Sequence, residues 1–344
     1  MRSVNPATGE PIRDYPDHGS TRVDAALGRA AEVFDEWRRR PLEDRCAVLR
    51  RAAALLRAEV DEHAELMSLE MGKPISEARA EVEKCAWVCE FYADEAASIL
   101  APQAVETDAR RSSVRFDPIG VVFGIMPWNF PFWQVFRYSA PTLAVGNTAL
   151  LKHASNVPGC ALAIEDVWRR AGVPEGGFAT LLISGSEAQA LVARPEIAAG
   201  TLTGSDAAGR AVAAEAGKHL KQTVLELGGS DPFVVLADAD PDDVARSAVT
   251  GRMLNSGQSC IAAKRFIVDA SIAERFETAM AESMAELGVG DPLDPATQVR
   301  PLARLDLVEE LHDQVERSLA AGARALVGGE RLDRPGFFYA PTVL

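Results

Sequence analysis

The sequence predicts an α/β protein built on a parallel sheet. Between residues 121 and 226, short β-rich runs alternate with helical runs. Repeated β-α units favour parallel strands with helices on both faces. The region before residue 101 is mostly helical, and a second α/β segment follows Gly229. Together with the 344-residue length, these observations predict two domains.

Helix periodicity dominates the first part of the chain. Val23, Leu27, Ala30, Phe34 and Trp37 recur at steps of three and four residues, which predicts one apolar helix face. A glycine and a proline just past residue 71 are the breakers expected after a helix end. The predicted helices cover residues 23–37, 48–56, a piece that ends at 71, and 75–100.

Strands and helices then alternate. The predicted strands cover 121–126, 148–152, 179–183, 200–203 and 223–226, and the helices between them cover 132–145, 159–171, 187–193 and 206–216. Beyond Gly229, strands are predicted at 233–236, 266–268 and 324–327, and helices at 242–254, 272–287 and 309–321. Asn129, Lys152, Gly204 and Glu226 lie at or just past strand ends, where parallel sheets bind their ligands.

Composition excludes several classes of function. Hydrophobic residues make up 47% and charged residues 25%, as in an ordinary globular protein. The net charge of −14 argues against a nucleic-acid or anionic-membrane partner. No apolar signal core opens the chain, and prolines interrupt its most apolar stretch, 119–133. The five scattered cysteines lack zinc spacing, so we expect free thiols, no metal site and a cytoplasmic location.

Cys260 and Glu226 form a candidate nucleophile and base. Small and polar residues precede Cys260, from Asn255 to Ser259, so a substrate could approach its thiol. A buried core cysteine is the alternative. Glu226 ends an apolar run that is predicted to be a buried strand, and burial would make it a usable base near neutral pH. A structural ion pair with Lys218 or Lys221 is the alternative.

Three further positions each have two interpretations. Asn129 follows a strand and could direct its amide at a developing oxyanion, or it could cap the next helix. Gly204 and Ser205, with Gly209, could place a helix N-terminus beside a pyrophosphate, although they lack the full dinucleotide fingerprint and also fit a capped turn. Lys152 could meet a ribose or phosphate, or it could be a solvated lysine.

Taken together, these motifs resemble the aldehyde dehydrogenase superfamily. The matching motifs occur in the family's order and spacing: Pro127-Trp128-Asn129, Lys152, Gly204-Ser205 with Gly209, Glu226-Leu227-Gly228-Gly229, and Gly257-Gln258-Ser259-Cys260. The resemblance implies a Rossmann-like NAD(P)-binding domain over residues 1–228, with a β excursion near 101–118 used in oligomerisation. It implies a catalytic domain over 229–344, which we expect to be C-terminally incomplete because family members continue beyond a segment like 339–344.

The resemblance also implies the role of each residue. Cys260 would attack the aldehyde to form a thiohemiacetal, and the Asn129 amide with the Cys260 backbone N–H would stabilise the oxyanion. Hydride transfer to the nicotinamide would leave a thioester, and Glu226 would activate the water that hydrolyses it. The expected cofactor contacts are Trp128, Asn129, Lys152, His153, Ala154, Ser155, Gly204, Ser205 and Leu227.

Cofactor and substrate preferences follow from single positions. NAD-preferring relatives usually carry glutamate where this chain has Ser155, so we expect NADP to be preferred and NAD accepted. The segments around Lys152 and Glu226 look like the bacterial succinate-semialdehyde dehydrogenase branch, and Arg137 matches an arginine that can bind the distal carboxylate of the substrate. A second arginine of such enzymes is here Leu254, which puts a two-arginine clamp in doubt.

Three alternatives stay open. The chain could oxidise another small aldehyde, or it could keep the fold as a non-catalytic cofactor-binding protein. The same cysteine and glutamate could instead hydrolyse a thioester without a cofactor. The leading hypothesis has a small-molecule aldehyde as partner and a homodimer or homotetramer as the assembly.

Overall fold

The computed structural model describes residues 1–344 and contains two compact units. The first unit comprises Met1, Tyr15–Ala64 and Arg79–Leu227, and the second comprises Arg2–Asp14, Glu65–Ala78 and Gly228–Leu344. The chain changes unit just before Gly228, close to the predicted boundary. The early segments Arg2–Asp14 and Glu65–Ala78 pack with the second unit, which differs from a single domain over 1–228.

The first part of the chain is helical, as predicted. Two short antiparallel strands, β1 (Arg2–Val4) and β2 (Pro11–Asp14), precede it and were not predicted. The helices are α1 (Ser20–Trp37), α2 (Leu42–Ala58), α3 (Val60–Met71) and α4 (Ile75–Ile99). The expected apolar face of α1 is buried, from Val23 to Trp37, and the Trp37 Nε1–H donates to the Leu143 carbonyl at 3.0 Å. Amphipathic packing, not capping, therefore stabilises α1, since its N-cap carries no side-chain bond.

A short antiparallel ribbon separates the helices from the main sheet. Strands β3 (Gln103–Ala104) and β4 (Ser113–Val114) pair within the predicted excursion, and the residues of both are exposed.

The core of the first unit is a five-stranded parallel sheet in the order β7-β6-β5-β8-β9. Its strands are β5 (Val121–Met126), β6 (Thr148–His153), β7 (Phe178–Thr180), β8 (Ile197–Thr203) and β9 (Gln222–Glu226). The helices that connect them are α5 (Trp133–Val145), α6 (Pro158–Ala171), α7 (Gly185–Leu191) and α8 (Asp206–Lys218). The predicted alternation of strand and helix is confirmed, with β7 shorter and earlier than expected.

Helices cover both faces of this sheet. On one face, Val121 and Phe123 of β5 pack in a cluster with residues of α1, α7 and α8. On the other face, the ring of Tyr138 in α5 lies so close to Gly124 that a Cβ there would be 2.3 Å from it. Glycine is therefore required at that position by the close approach of a helix to the strand.

The strand order creates a switch point between β5 and β8. The chain leaves β5 towards β6 and later returns to β8 on the opposite side. In such sheets the crevice beyond the carboxyl ends of these two strands is the ligand site. Ile125 pairs with Leu202, so the loop after Met126 and the loop after Thr203 both begin at this crevice.

Strand β9 is not the buried strand that its apolar sequence predicts. Its exposure alternates, and the Val224 side chain is 63% exposed. The reason is position, because β9 is the edge strand of the sheet and pairs only with β8.

The second unit contains a two-stranded parallel sheet of β10 (Pro232–Val235) and β11 (Arg265–Val268). Helices α9 (Pro241–Met253) and α10 (Ala273–Ala285) pack with it in one cluster, and α11 (Leu305–Ala320) lies in another. The predicted strand 324–327 is wrong, because only Val327 forms an isolated bridge, to Val343. None of the helices combines the length and the apolar character that a membrane span requires.

Candidate active site

The segment from Pro127 to Phe132, named here the asparagine loop, begins at the switch point directly after β5. It contains Asn129, which is half-buried. Asn129 does not cap the next helix, because α5 begins at Trp133 and its N-cap residue is Phe132. The cap comes from Glu81 of α4, whose Oε1 accepts the backbone N–H groups of Phe132 and Trp133, both at 2.9 Å. The helix-cap interpretation of Asn129 is therefore wrong.

His153 lies beneath this loop rather than facing a ligand. It ends β6, is 3% exposed, and its Nε2 is 2.9 Å from the Pro131 carbonyl oxygen. Its Nδ1 is 2.9 Å from the Ala154 nitrogen. Burial is the main cause that lowers the pKa of His153 to about 4. Because both ring nitrogens are engaged inside the protein, the side chain is not available to a cofactor, contrary to the prediction.

Lys152 and Ser155 remain available at the same end of β6. Lys152 is half-buried, and this burial lowers the pKa of its ammonium group. Because the side chain is partly buried, the solvated-lysine interpretation does not describe it, and no carboxylate contributes to the shift in its pKa. Ser155 is exposed two residues beyond β6, and Ala154 between them is half-buried. A desolvated cation without an anion next to an exposed hydroxyl is chemically suited to a phosphate or ribose.

The Gly204-Ser205 turn forms the other side of the switch point. Ser205 is the N-cap of α8, and its hydroxyl accepts the Ala208 N–H at 3.3 Å. The capped-turn interpretation is therefore correct, and it leaves the first N–H groups of α8 at the crevice. Gly209 lets the first turn of α8 approach Leu227, because a Cβ at Gly209 would lie 2.5 Å from Leu227 Cδ2.

Glu226 is exposed, not buried as predicted. Its side chain is 57% accessible at the end of the edge strand β9. Neither predicted lysine pairs with it, since Lys218 binds Glu215 and Lys221 donates to backbone carbonyls. Its partner is Arg137 of α5, whose Nη1 is 4.0 Å from Glu226 Oε2.

Arg137 and Glu226 line one cavity of about 440 Å³. Arg137 also donates from Nη2 to the Thr203 hydroxyl at 3.0 Å, which orients its guanidinium from a neighbouring strand. Gln134 and Met126 contribute to the same cavity. The structure therefore brings together the predicted base and the predicted carboxylate-binding residue of the first unit. Arg137 therefore forms its ion pair with a residue of strand β9 and not with a residue of its own helix.

Cys260 is the accessible thiol of the second unit. None of the five cysteines forms a disulfide, and the four others are at most 2% exposed, whereas Cys260 is half-buried. It follows a segment named here the cysteine loop, residues 254–259. Three successive residues of this loop have left-handed φ angles: 56° at Asn255, 53° at Ser256 and 76° at Gly257. A buried core cysteine is thus excluded for Cys260.

Polar side chains hold the cysteine loop, and one of them, Arg300, is buried. The Arg300 guanidinium, on a residue that is 2% exposed, donates to the Asn255 side-chain and backbone oxygens at 2.8 and 3.1 Å. It also donates to the Met71 carbonyl at 2.7 Å. Glu77 accepts the Asn255 N–H at 3.1 Å. The Lys264 ammonium donates to the Gly229 and Cys260 carbonyls at 2.6 and 3.1 Å.

Sequence reasoning missed Glu81, Glu77 and Arg300. Each acts on backbone groups that are distant along the chain, and none belongs to a motif or follows a strand end. Glu77 and Glu81 lie in helix α4, where a charged residue usually belongs to a solvated face, and Arg300 lies outside any helix or strand.

Comparisons with known proteins identify the family of the whole chain. The family model described as "Aldehyde dehydrogenase family" matches residues 1–344. A protein of Synechocystis named "Probable succinate-semialdehyde dehydrogenase [NADP(+)]" is 52% identical over 344 residues, which cover 100% of this chain and 76% of that protein. A Mycobacterium bovis protein named "Succinate-semialdehyde dehydrogenase [NADP(+)] 1" is 49% identical over 347 residues, with 100% and 76% covered.

A solved structure of a succinic semialdehyde dehydrogenase is also similar to this chain. The crystal structure of succinic semialdehyde dehydrogenase from Streptococcus pyogenes in complex with NADP⁺ matches with a TM-score of 0.97 and 36% identity, covering 99% of this chain and 75% of that one. Thus the chain spans about three quarters of the length of the relatives it matches. From its motifs, its fold and these matches, the chain belongs to the aldehyde dehydrogenase family.

Proposed function

We propose that this protein oxidises succinate semialdehyde to succinate with NADP⁺ as the hydride acceptor. The observation that carries the proposal is the accessible Cys260, which follows a loop held by buried polar contacts while every other thiol is buried. A cysteine that only fills space has no need of such a loop. Family membership supplies the reaction class, and the names of the relatives motivate the substrate and the cofactor.

Cys260, Asn129 and Glu226 would each have a separate role in the reaction. The Cys260 thiolate attacks the aldehyde carbon, and the Asn129 amide with the Cys260 N–H stabilises the oxyanion of the thiohemiacetal. When bound, the nicotinamide supplies the hydride acceptor. Glu226 then takes a proton from the water that attacks the thioester carbonyl, and succinate leaves as Cys260 is regenerated. The exposure of Glu226 allows water to reach its carboxylate.

The cofactor site fits a phosphorylated ribose. Lys152 provides a partly desolvated ammonium without a carboxylate partner, and Ser155 provides an exposed hydroxyl close by in the chain. No carboxylate occupies position 155 to repel a 2′-phosphate. Trp128, Gly204, Ser205 and Leu227 border the switch-point crevice where the rest of a dinucleotide would bind. We therefore expect NADP⁺ to be preferred and NAD⁺ accepted.

The substrate carboxylate would bind Arg137. The guanidinium is oriented by Thr203 and is the one cation among the residues that line the cavity. It would exchange its 4.0 Å contact with Glu226 for the carboxylate of the substrate. Because residue 254 is leucine, Arg137 would serve without the second arginine. Another small aldehyde remains the second candidate for the substrate.

The proposal includes a cytoplasmic homodimer or homotetramer. The exposed β3–β4 ribbon offers unpaired strand edges that a second copy could cover. Light scattering of the purified chain would test the assembly, and a monomer at micromolar concentration would contradict it.

The function is tested by measuring NADPH formation from succinate semialdehyde and from uncharged aldehydes of similar length. We expect Cys260→Ala to lose activity by more than about 10³-fold. Arg137→Ala should raise KM for succinate semialdehyde at least about tenfold more than KM for an uncharged aldehyde. Equal effects on both substrates would refute the carboxylate site. A wild-type protein that forms no NADPH from any aldehyde would refute the dehydrogenase.

A further inference from the structure

Two buried side chains outside the recognised motifs hold the backbone of the asparagine loop. Glu81, 5% exposed, accepts the N–H groups of Phe132 and Trp133, and His153, 3% exposed, contacts the carbonyl of Pro131. These three backbone groups belong to consecutive residues. The first of these residues, Pro131, lies two positions after Asn129. The Asn129 side-chain amide and the backbone groups bound by Glu81 and His153 therefore belong to one short segment.

His153 contacts backbone atoms through both ring nitrogens. Nε2 lies 2.9 Å from the Pro131 carbonyl oxygen. Nδ1 lies 2.9 Å from the Ala154 nitrogen and 3.2 Å from the Met126 carbonyl oxygen. The ring therefore connects the Pro131 end of the asparagine loop to the end of strand β5.

Glu81 replaces a cap that the local sequence does not provide. Phe132, the N-cap of α5, forms no side-chain cap bond. Without the Glu81 carboxylate, the Phe132 and Trp133 N–H groups would lack their acceptor next to a buried residue, which is costly for backbone donors. A carboxylate at a helix N-terminus is further stabilised by the helix dipole.

We propose that Glu81 and His153 are positioning residues that set the place of the Asn129 amide by holding residues 131–133 from two sides. This inference rests on the proposed function, because it assumes that Asn129 stabilises the oxyanion. Glu81 and His153 act through the backbone. Loosening residues 131–133 would displace the amide and slow the step that forms the oxyanion, while the cofactor contacts of Lys152 and Ser155 would stay in place.

The experiment compares variants that remove each contact with variants that conserve it. Glu81→Ala and His153→Leu delete the contacts. Glu81→Gln keeps an oxygen acceptor, and His153→Gln keeps an N–H donor near the position of Nε2. Glu83→Ala is the matched control, because Glu83 lies on the same helix but forms a surface pair with Arg57.

Two readouts are measured for each variant, the rate of the single-turnover NADPH burst and the hydrogen exchange of the Phe132 and Trp133 amides. We expect the deletions to slow the burst about 10- to 100-fold while the Kd for NADP⁺ changes less than about twofold. The conserving variants should stay within about threefold of wild type, and amide exchange should accelerate only in the deletions.

The outcomes separate this inference from the proposed function. If the deletions slow the burst no more than Glu83→Ala does, the positioning role is refuted even when exchange accelerates. If the deletions weaken NADP⁺ binding by the same factor as they slow the burst, the positioning role is also refuted, because Glu81 and His153 then have a general structural role. If the wild-type protein shows no burst, the proposed function fails. Hydrogen exchange alone then tests whether Glu81 and His153 hold residues 131–133, and equal exchange rates in all variants would show that they do not.

Discussion

The asparagine loop and the cysteine loop reach well-defined positions by different physical means. The asparagine loop contains no residue with a positive φ angle and is held at its end by Glu81 and His153. The cysteine loop contains three successive left-handed residues, two of which are not glycine, and Arg300 holds it. The asparagine loop is held by the carboxylate of Glu81 and the imidazole of His153, whereas the cysteine loop is held by the guanidinium of Arg300.

This difference shows where each loop is vulnerable. A left-handed residue other than glycine costs about 1–2 kcal/mol, and asparagine tolerates the conformation best. The cysteine loop must therefore be stabilised by side-chain bonds, and those of Arg300 come from a guanidinium that stays charged. The asparagine loop carries no such backbone cost, but one of its supports is His153, whose pKa is lowered by burial.

The largest effect is expected from Arg300→Met. This change fills much of the space but leaves the Asn255 and Met71 oxygens without their donors inside the protein. We expect a loss of about 3 kcal/mol in the free energy of unfolding and faster alkylation of Cys260, because the left-handed turn relaxes.

Urea unfolding and iodoacetamide labelling measure the two effects of Arg300→Met. Arg317→Met is the control, since Arg317 forms an exposed pair with Asp313 and should change stability by less than about 0.5 kcal/mol. Equal losses in both variants would show that Arg300 does not hold the loop.

Acid should loosen the asparagine loop before the cysteine loop. Burial lowers the folded-state pKa of His153 to about 4, below its ordinary value of 6.5, so the folded state binds fewer protons than the unfolded state. The stability from neutral His153 is fully present above pH 6.5 and is lost as the pH falls towards 4. This loss is on the order of 2–3 kcal/mol.

Hydrogen exchange between pH 7 and 4.5, corrected for the intrinsic rates, tests this order. Residues 127–133 should lose protection at a higher pH than residues 254–260. His18 and His63 also have pKa values lowered mainly by burial, so His153→Gln is needed to isolate the effect. If that variant keeps the same pH dependence in residues 127–133, His153 is not responsible.

A smaller effect is expected from Gly257→Ala. The φ angle of Gly257 is +76°, and an added Cβ would lie 2.9 Å from Arg252 Nη2. We expect a loss of about 1–2 kcal/mol in thermal or urea unfolding.

Gly251→Ala is the matched control for Gly257. Gly251 lies inside α9 with nothing within 4 Å of an added Cβ, so alanine should stabilise the protein by about 0.5–1 kcal/mol. Destabilisation of the same size in both variants would mean that the left-handed turn carries no special cost.

The sequence predicted the regular elements better than their surroundings. Strand β5 and helices α1 and α4 were predicted closely because periodic apolar residues determine them locally. The prediction for β9 was wrong about burial, since exposure depends on which strand lies at the sheet edge, and strand order is a long-range property. The strand at 324–327 failed for a similar reason, because apolar composition alone provides no pairing partner.

For the candidate site, motifs suggested candidate residues but not their supports. Cys260, Asn129 and Lys152 were proposed from local patterns at strand ends and loops. The Arg137–Glu226 pair was not, because it joins a helix to the end of a distant strand. Glu81 and Arg300 act on backbone atoms far along the chain, so no spacing rule could reveal them. His153 was assigned to the cofactor because its neighbour Lys152 suits that role, while its own burial was invisible.

The contrast among the thiols has a practical consequence. Cys46 and Cys89 are buried, and burial raises the pKa of each, so they resist electrophiles and peroxide. A mild alkylating agent would therefore mark the folded protein at a single thiol, that of Cys260. A reporter dye placed there would label each molecule once.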